Sequence, residues 1–443
     1  MTSLQLDNLA LRNFRCFTSC DIAFHPRLTV LVAENGNGKT ALMDATSLAV
    51  SAYVNAIFPA EPLKKIERKD VRLALDETNV MQPSVPTHIV ANGIVADEPV
   101  HWGTAVQTYG PKIRPSTRDF KALRLATERL RHDDALLPLV AFYGTGRLWS
   151  EQRLAGGRRT SLTDVNQRLA GYSDCLSSSS SFRGVSEWYE SRAKEVADPA
   201  YKESLGTNIA LLTAVREAAR TVLDPTGWSN LDWDVALGAL VADHSQHGRL
   251  PLSSLSDGVR NMLALVGDVA RRCASLNPHL SGDAARQTPG VLLIDEVDLH
   301  LHPRWQQTVV ELLRTAFPSL QMVLTTHSPH VLSTVDRQSI RVLRVVNGII
   351  VVETPQLQTR GVMSADVLAS IMRVDPVPQV DEASWVSQYR AMIEDGDADS
   401  NEAQQLRQRL VAHFGETHPL IADCDRLMRF QAFRIKKQSS GES

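Results

Sequence analysis

Residues 33–40 read Ala-Glu-Asn-Gly-Asn-Gly-Lys-Thr, residue types suited to holding a phosphate group. Glycines at this spacing let consecutive backbone N–H groups converge on one anion. A helix starting directly behind adds the positive end of its dipole. Lys39 would reach the β- and γ-phosphates of a nucleotide, and the Thr40 hydroxyl would take one position around Mg²⁺. Asn35, Gly36, Asn37, Gly38 and Ala41 complete the expected nucleotide contact. Ala33 stands where the pattern G-x-x-x-x-G-K-[ST] has its first glycine, so its φ must be negative for the loop to survive.

Three further clusters fit the same chemistry. Val291-Leu-Leu-Ile294 is a buried apolar run that ends in Asp295 and Glu296. Strand alternation would point the two carboxylates apart. Asp295 then suits a Mg²⁺ shell, and Glu296 suits a general base for water, a role worth about 10²–10⁴-fold in rate. Leu255-Ser-Asp-Gly258 opens a helix, where the Ser256 hydroxyl and the N–H groups of Asp257 and Gly258 could bind a γ-phosphate. The nucleotide on Lys39 is already enclosed, so the economical geometry is a dimer in which each subunit caps the nucleotide of the other. Thr325-Thr-His327-Ser-Pro329 lies one strand–helix–strand unit beyond Asp295, which places His327 at the same sheet edge to sense the γ-phosphate.

The elements that must position these residues are legible in part. Alternation predicts strands over residues 4–11 and 21–24, and residues 28–32 form a short β-rich run. Apolar spacing predicts a helix over 40–56, so the phosphate loop joins a strand to a helix. Residues 88–106 read as two short strands and 118–132 as a charged helix. Residues 137–143 read as a buried strand, and 186–196 and 207–223 as helices. Beyond residue 250 the pattern predicts a helix over 259–272, a strand over 291–294, a helix over 305–317 and a strand over 321–325. A hairpin over 340–353 turns on Asn347-Gly348. After residue 356 strand signals vanish, and helices are expected over 365–372, 382–394 and 402–414.

Composition bounds the class. The chain has 443 residues with 43% hydrophobic, enough for a large core. Its 47 basic and 50 acidic residues leave a net charge of −3, so no bulk basic field for nucleic acid exists. Local basic clusters occur at Lys64, Lys65, Arg68 and Lys69, at Arg153, Arg158 and Arg159, and at Arg434, Lys436 and Lys437, so DNA stays open as a partner. Five cysteines without a CxxC argue against a disulfide framework or a four-ligand zinc site. The N-terminus lacks a signal-peptide apolar block, and no run approaches the ~20 apolar residues of a membrane span. The expected setting is cytoplasmic, without membrane.

In order and spacing, Asn13-Phe-Arg15, the phosphate loop, LSDG, LLIDE followed by VDLHLHP, and TTHSP resemble an ABC-type ATPase head of the RecF/SMC superfamily. The resemblance covers residues 1–350. It implies an α/β P-loop NTPase head, a mixed sheet flanked by helices, that binds ATP and Mg²⁺ and dimerises head to head. It implies that Ser256, Asp257 and Gly258 act in trans, that Asp298 lines the dimer seam and that His327 is the switch histidine. Arg15 and Arg147 are further candidates, Arg147 near the nucleotide seam. Ala141 to Trp149, LSDGVRN and VDLHLHPRWQ are similar to a compact bacterial group that includes the PtuA-like ATPases of Septu anti-phage systems and ATPases of some retron systems. The usual partner in that group is a small HNH nuclease, which implies an ATPase that holds a nuclease in check.

The expected organisation is a head over residues 1–56 and 250–356, a mostly helical insert over 57–249, and a helical extension over 357–443 that could dock a partner. Hydrolysis is expected to be slow or regulated, in a homodimer or larger homo-oligomer. A RecF-like repair ATPase acting on DNA without a nuclease is the alternative. The insert lacks the sustained heptads of a long SMC protein, and LSDG departs from the LSGGQ of transporters. The residues after 356 are too few for a fused Toprim nuclease. Asp395, Asp397 and Asp399 fail as a calcium loop, because Ser400 and Leu406 stand where Gly and Glu are needed. His300 and His302 lack a third ligand for zinc.

Overall fold

In a computed structural model, residues 4–131, 135–148, 168–177 and 182–439 are described. The strands in chain order are β1 (Leu4–Phe14), β2 (Phe17–Ala23), β3 (Leu28–Ala33), β4 (Leu73–Leu75), β5 (Met81–Pro83), β6 (Thr87–Val95), β7 (Glu98–Val106) and β8 (Ser116–Arg118). They continue as β9 (Leu139–Tyr143), β10 (Trp228–Asp234), β11 (Ala239–His244), β12 (Gly248–Pro251), β13 (Gly290–Ile294), β14 (Leu320–Thr325), β15 (Ile340–Val346) and β16 (Ile349–Glu353).

Every residue of β3, β9, β13 and β14 is buried, the pattern of parallel strands covered on both faces. They join a six-stranded mixed sheet in the order β16-β15-β3-β14-β13-β9, parallel except for the β15–β16 hairpin. Parallel pairing with β14 on one side and β15 on the other puts β3 in the middle, so the loop after Ala33 leaves from the sheet's centre. The helix Lys39–Ile57 follows and is buried along most of its length.

A second, antiparallel sheet runs β2-β1-β6-β7-β8. Its β1 and β6 alternate buried and more exposed residues, as one-sided strands should. One buried side chain stitches the two sheets. The Gln321 amide accepts from the Leu6 N–H at 2.8 Å and donates to the Leu6 carbonyl at 2.7 Å, copying a backbone pairing. The β1–β6 register shifts between Leu6 and Asn8, next to that contact. Trp102 on β7 donates its indole N–H to the Ala49 carbonyl, 2.9 Å away, and seats this sheet on the helix Lys39–Ile57.

Residues 57–249 are not a separable, mostly helical insert. They supply β6, β7 and β8 to the antiparallel sheet and β9 to the mixed sheet. The same stretch carries β10 and β11, which pair with β12 in a three-stranded sheet that the apolar pattern does not reveal. Their residues are mostly half-buried, which blurs the alternation. The helices Phe182–Ala197 and Leu205–Leu223 also lie here. One hydrophobic core unites all these parts.

The chain divides into compact units at 372/373, beyond the expected boundary at 356. Val367 and Ile371 are buried in the first unit's core, Thr359 donates to the Val335 carbonyl at 2.5 Å, and Arg344 caps the Ile371 carbonyl at 3.1 Å. The second unit is helical, with helices Asp381–Asp395, Asn401–Phe414 and Pro419–Ser439 around Tyr389, Ile393, Leu410 and Ile421. Asp395 to Ser400 form the inter-helix turn, with Gly396 left-handed at the end of one helix and the Ser400 hydroxyl capping the next. Among the described residues no helix is long and apolar enough to cross a membrane.

Candidate functional site

The phosphate loop takes its shape from two glycines. Gly36 and Gly38 have φ of 82° and 88°, a region that costs an L side chain about 1–2 kcal/mol. At Gly38 space is closed as well, since a Cβ there would lie 2.6 Å from Phe17 Cζ and 2.8 Å from Cys16 Sγ. Ala33 is the last residue of β3 and is not among the positive-φ residues, so its methyl fits. Lys39 is buried and donates to the carbonyls of Ala33 at 2.6 Å and Glu34 at 3.2 Å, which places its ammonium across the loop mouth. Burial pushes the Lys39 pKa down, and the charges of Asp295, Glu296 and Asp298 partly offset that. Three carboxylates against one ammonium leave an excess of negative charge, which favours a divalent cation.

The acidic pair meets the loop directly. β13 lies beside β14, and Thr40 Oγ1 donates to Asp295 Oδ2 at 3.2 Å. Oxygens on one edge of a Mg²⁺ octahedron stand about 2.9 Å apart, given bonds of about 2.0–2.1 Å. The hydroxyl–carboxylate pair therefore fits a shared Mg²⁺ with little movement.

Strand alternation does not separate the two carboxylates. The strand ends at Ile294, although the Asp295 N–H still bonds the Tyr143 carbonyl at 2.8 Å. Glu296 then takes a left-handed conformation with φ of 51°. The turn, rather than the pleat, sets the backbone direction at the second carboxylate. Such a conformation costs a non-glycine residue on the order of 1–3 kcal/mol and persists only where neighbours hold it. Here the neighbour is Thr325. Its hydroxyl donates to Asp295 Oδ1 at 2.6 Å and accepts the Glu296 N–H at 2.7 Å. Next to it, Thr326 Oγ1 donates to Asp298 Oδ1 at 2.5 Å. These two threonines are contacts of the acidic residues that sequence reasoning passed over in favour of His327. Two hydroxyls at a strand end beside an acidic strand end were the available signal.

His327 lies two residues past the end of β14 and is half-buried. The segment behind it is anchored, because Ser328 Oγ donates to Gln306 Oε1 at 2.7 Å and caps the short helix Pro329–Leu332. Ser256 and Asp257 are exposed at the start of the helix Asp257–Leu276. That start meets the acidic loop, since a Cβ on Gly258 would lie 3.2 Å from the His300 carbonyl oxygen. His302 caps the helix Pro303–Gln306 through its ring nitrogen, and no metal-ligand cluster exists among the described residues.

The signature helix is tied to the site from inside. Asp268 is buried between Arg271 and Arg272, and Tyr143 donates its hydroxyl to Asp268 Oδ2 at 2.8 Å. Burial alone would raise the Asp268 carboxyl, but the Arg272 and Arg271 guanidiniums hold it well below the usual range. Tyr143 thus bonds the signature helix with its side chain and Asp295 with its carbonyl.

Arg15 does not reach the loop as a free cation. It has φ of 48° and bridges Asp44 at 2.6 Å and Asp70 at 2.8 Å, locking the β1–β2 turn onto the helix Lys39–Ile57. The side chain of Arg147, Ser178 to Ser181, and the cluster Arg153, Arg158 and Arg159 lie outside the described residues.

The chain is similar to several known proteins. A family described as "AAA domain" matches residues 8–185, and one described as "AAA domain, putative AbiEii toxin, Type IV TA system" matches residues 179–333. The chain is 23% identical to "Retron Vc95 probable ATPase" of Vibrio cholerae serotype O1 biovar El Tor, over 93% of this chain and 88% of that protein. It is 42% identical to the "Septu protein PtuA" of Bacillus mycoides over 18% of this chain and 10% of that one. It is 36% identical to the "DNA replication and repair protein RecF" of Magnetococcus marinus over 14% of this chain and 16% of that one. The chain is thus similar to retron ATPases along nearly its whole length, and to PtuA and RecF over short stretches.

Proposed function

We propose that this RecF/SMC-like chain is the ATP-hydrolysing subunit of an anti-phage defence complex, that it closes head to head around ATP, and that it controls an associated HNH nuclease. One observation carries the enzymatic part: Thr40, Asp295, Thr325 and the Glu296 N–H form one continuous hydrogen-bonded set. Likeness to a retron ATPase over nearly the whole chain supports the defence setting.

ATP would enter the loop of Gly36 to Lys39, and Lys39 would exchange its two carbonyl partners for phosphate oxygens. Thr40 and Asp295 are the residues that would hold Mg²⁺, which supplies charge neutralisation at the β- and γ-phosphates. Glu296, held by Thr325, would orient and deprotonate the attacking water. Ser256 and Asp257 are exposed and Gly258 is half-buried beside them, so the first two could reach a partner's γ-phosphate, and Asp298 and His327 would flank that seam. Two long-separated segments must close before water is activated, so turnover should be slow.

Two measurements test this. Glu296→Gln should bind ATP, lose about 10²–10⁴-fold in hydrolysis and accumulate dimer in analytical ultracentrifugation. Normal hydrolysis by that variant would remove Glu296 from the base role. Co-purification from the native host should yield a small HNH protein in equal amount. DNA retained without a protein partner would instead support a RecF-like clamp.

A further inference from the structure

The end of the mixed sheet opposite the phosphate loop holds a polar cavity of about 260 Å³. It opens where β3 and β15 begin, lined by Leu28 at the start of β3 and by Ser339 just before β15. The phosphate loop follows the other end of β3, and six residues of strand put about 20 Å between them.

Its lining is dominated by cations. Arg27, Arg314, Arg337 and Arg360 face it, against only Glu311 and Asp336 among acidic residues. The two acids do not neutralise the site. Arg314–Glu311 spans 3.7 Å and Arg360–Asp336 spans 3.4 Å, and all four side chains are about half-exposed, so these are weak pairs. Arg337 is held in place by the carbonyls of Pro355 at 3.4 Å and Gln356 at 3.2 Å. His25 completes the wall. Its Nδ1 accepts the backbone N–H groups of Arg27 and Leu28, at 3.2 and 3.3 Å, so the neutral ring carries its proton on Nε2 as a donor. Burial, then the charges of Arg341 and Arg314, push the His25 pKa down, a sign of positive potential on this face.

We propose that this cavity binds a small phosphate-bearing anion, separately from the ATP site. Guanidinium forks and an imidazole donor around a polar hollow suit a phosphate group better than a carboxylate-poor, uncharged ligand. The volume is near the lower end of small-molecule sites, which fits a diphosphate or a terminal phosphate rather than a whole nucleotide. Thr334 and Val335 also line it, directly behind the short helix that follows His327. An anion there would press on the same segment that carries the expected γ-phosphate sensor.

The test is calorimetric titration of pyrophosphate into the full chain with Lys39→Ala, which removes the phosphate-loop ammonium. The same titration into wild-type chain saturated with ADP guards against a folding defect in that variant. Both should show one saturable pyrophosphate site. Arg27→Ala combined with Arg314→Glu, at exposed positions, should weaken it at least about tenfold, the scale of one lost charge-assisted bond, without lowering the ligand-free Tm. A 5′-phosphorylated dinucleotide titrated in parallel separates a free phosphate from a nucleic-acid end; binding of either that is lost in the double variant supports the site. Absence of binding by both probes, or binding unchanged in the double variant, overturns it.

Discussion

Thr325→Val tests whether one buried hydroxyl holds Asp295 and the proposed base Glu296 in place. The substitution keeps the shape and removes only the oxygen, at a fully buried position. Two interactions go with it. Asp295 loses a 2.6 Å donor, and a hydrogen bond to a charged group is worth about 1.5–3 kcal/mol. The Glu296 N–H loses its 2.7 Å acceptor, and an orphaned buried donor costs about 1–3 kcal/mol. Thr40 still reaches Asp295, which softens the first loss. A net destabilisation of about 3 kcal/mol follows, read as a Tm lower by several degrees. The kinetic effect should be larger in proportion. Without the hydroxyl, the left-handed turn at Glu296 loses a restraint, and a misplacement on the order of 1 Å costs about 10²-fold in rate. Nucleotide binding through Lys39 should persist, so kcat falls while affinity for a fluorescent ATP analogue holds. Thr325→Ser should restore both stability and rate to near wild type. A Thr325→Val enzyme with wild-type Tm and kcat would refute the assignment of Thr325 as the positioning residue.

Other consequences are open to measurement. Gly38→Ala should abolish ATP binding and lower stability, because its methyl would meet Phe17 and Cys16, whereas Gly36→Ala meets open space and should lose only about 1–2 kcal/mol to its positive φ. Arg272→Ala should destabilise by about 3–5 kcal/mol in denaturant titrations, since it leaves Asp268 buried with one arginine fewer. The Asp268 carboxyl is depressed in the folded state, so its contribution is present above the unfolded value of about 3.9 and is lost as pH falls through the lowered folded value. Stability should therefore fall below about pH 4, and Asp268→Asn should flatten that limb in pH-dependent melts. Cys16 alone is exposed, and burial pushes the Cys20, Cys175 and Cys273 thiols up to about 12, so Ellman's reagent should titrate one thiol in the native chain and five in denaturant.

The sequence by itself determined the local chemistry. A phosphate loop is one contiguous turn between a strand and a helix, and its glycines, Lys39 and Thr40 must be neighbours in sequence to be neighbours in space. The acidic strand end, LSDG and the strand end before His327 are likewise contiguous, and parallel buried strands announce themselves as apolar runs. Tertiary structure alone decided the partners. Periodicity tells which face of an element is buried, not what covers it. Arg15 reads as a candidate ligand until Asp44 and Asp70, 29 and 55 positions away, claim its guanidinium. Residues 57–249 read as an insert because β9 joins β13, and β6 joins β1, only across long loops whose closure leaves no mark in composition. Gln321 and Leu6 are 315 positions apart, and Tyr143 and Asp268 are 125 apart. The position of Glu296 needed both kinds of information. Its place after Asp295 is written in the chain, but its left-handed backbone is held by a hydroxyl on the neighbouring strand, and strand order is a property of the folded sheet.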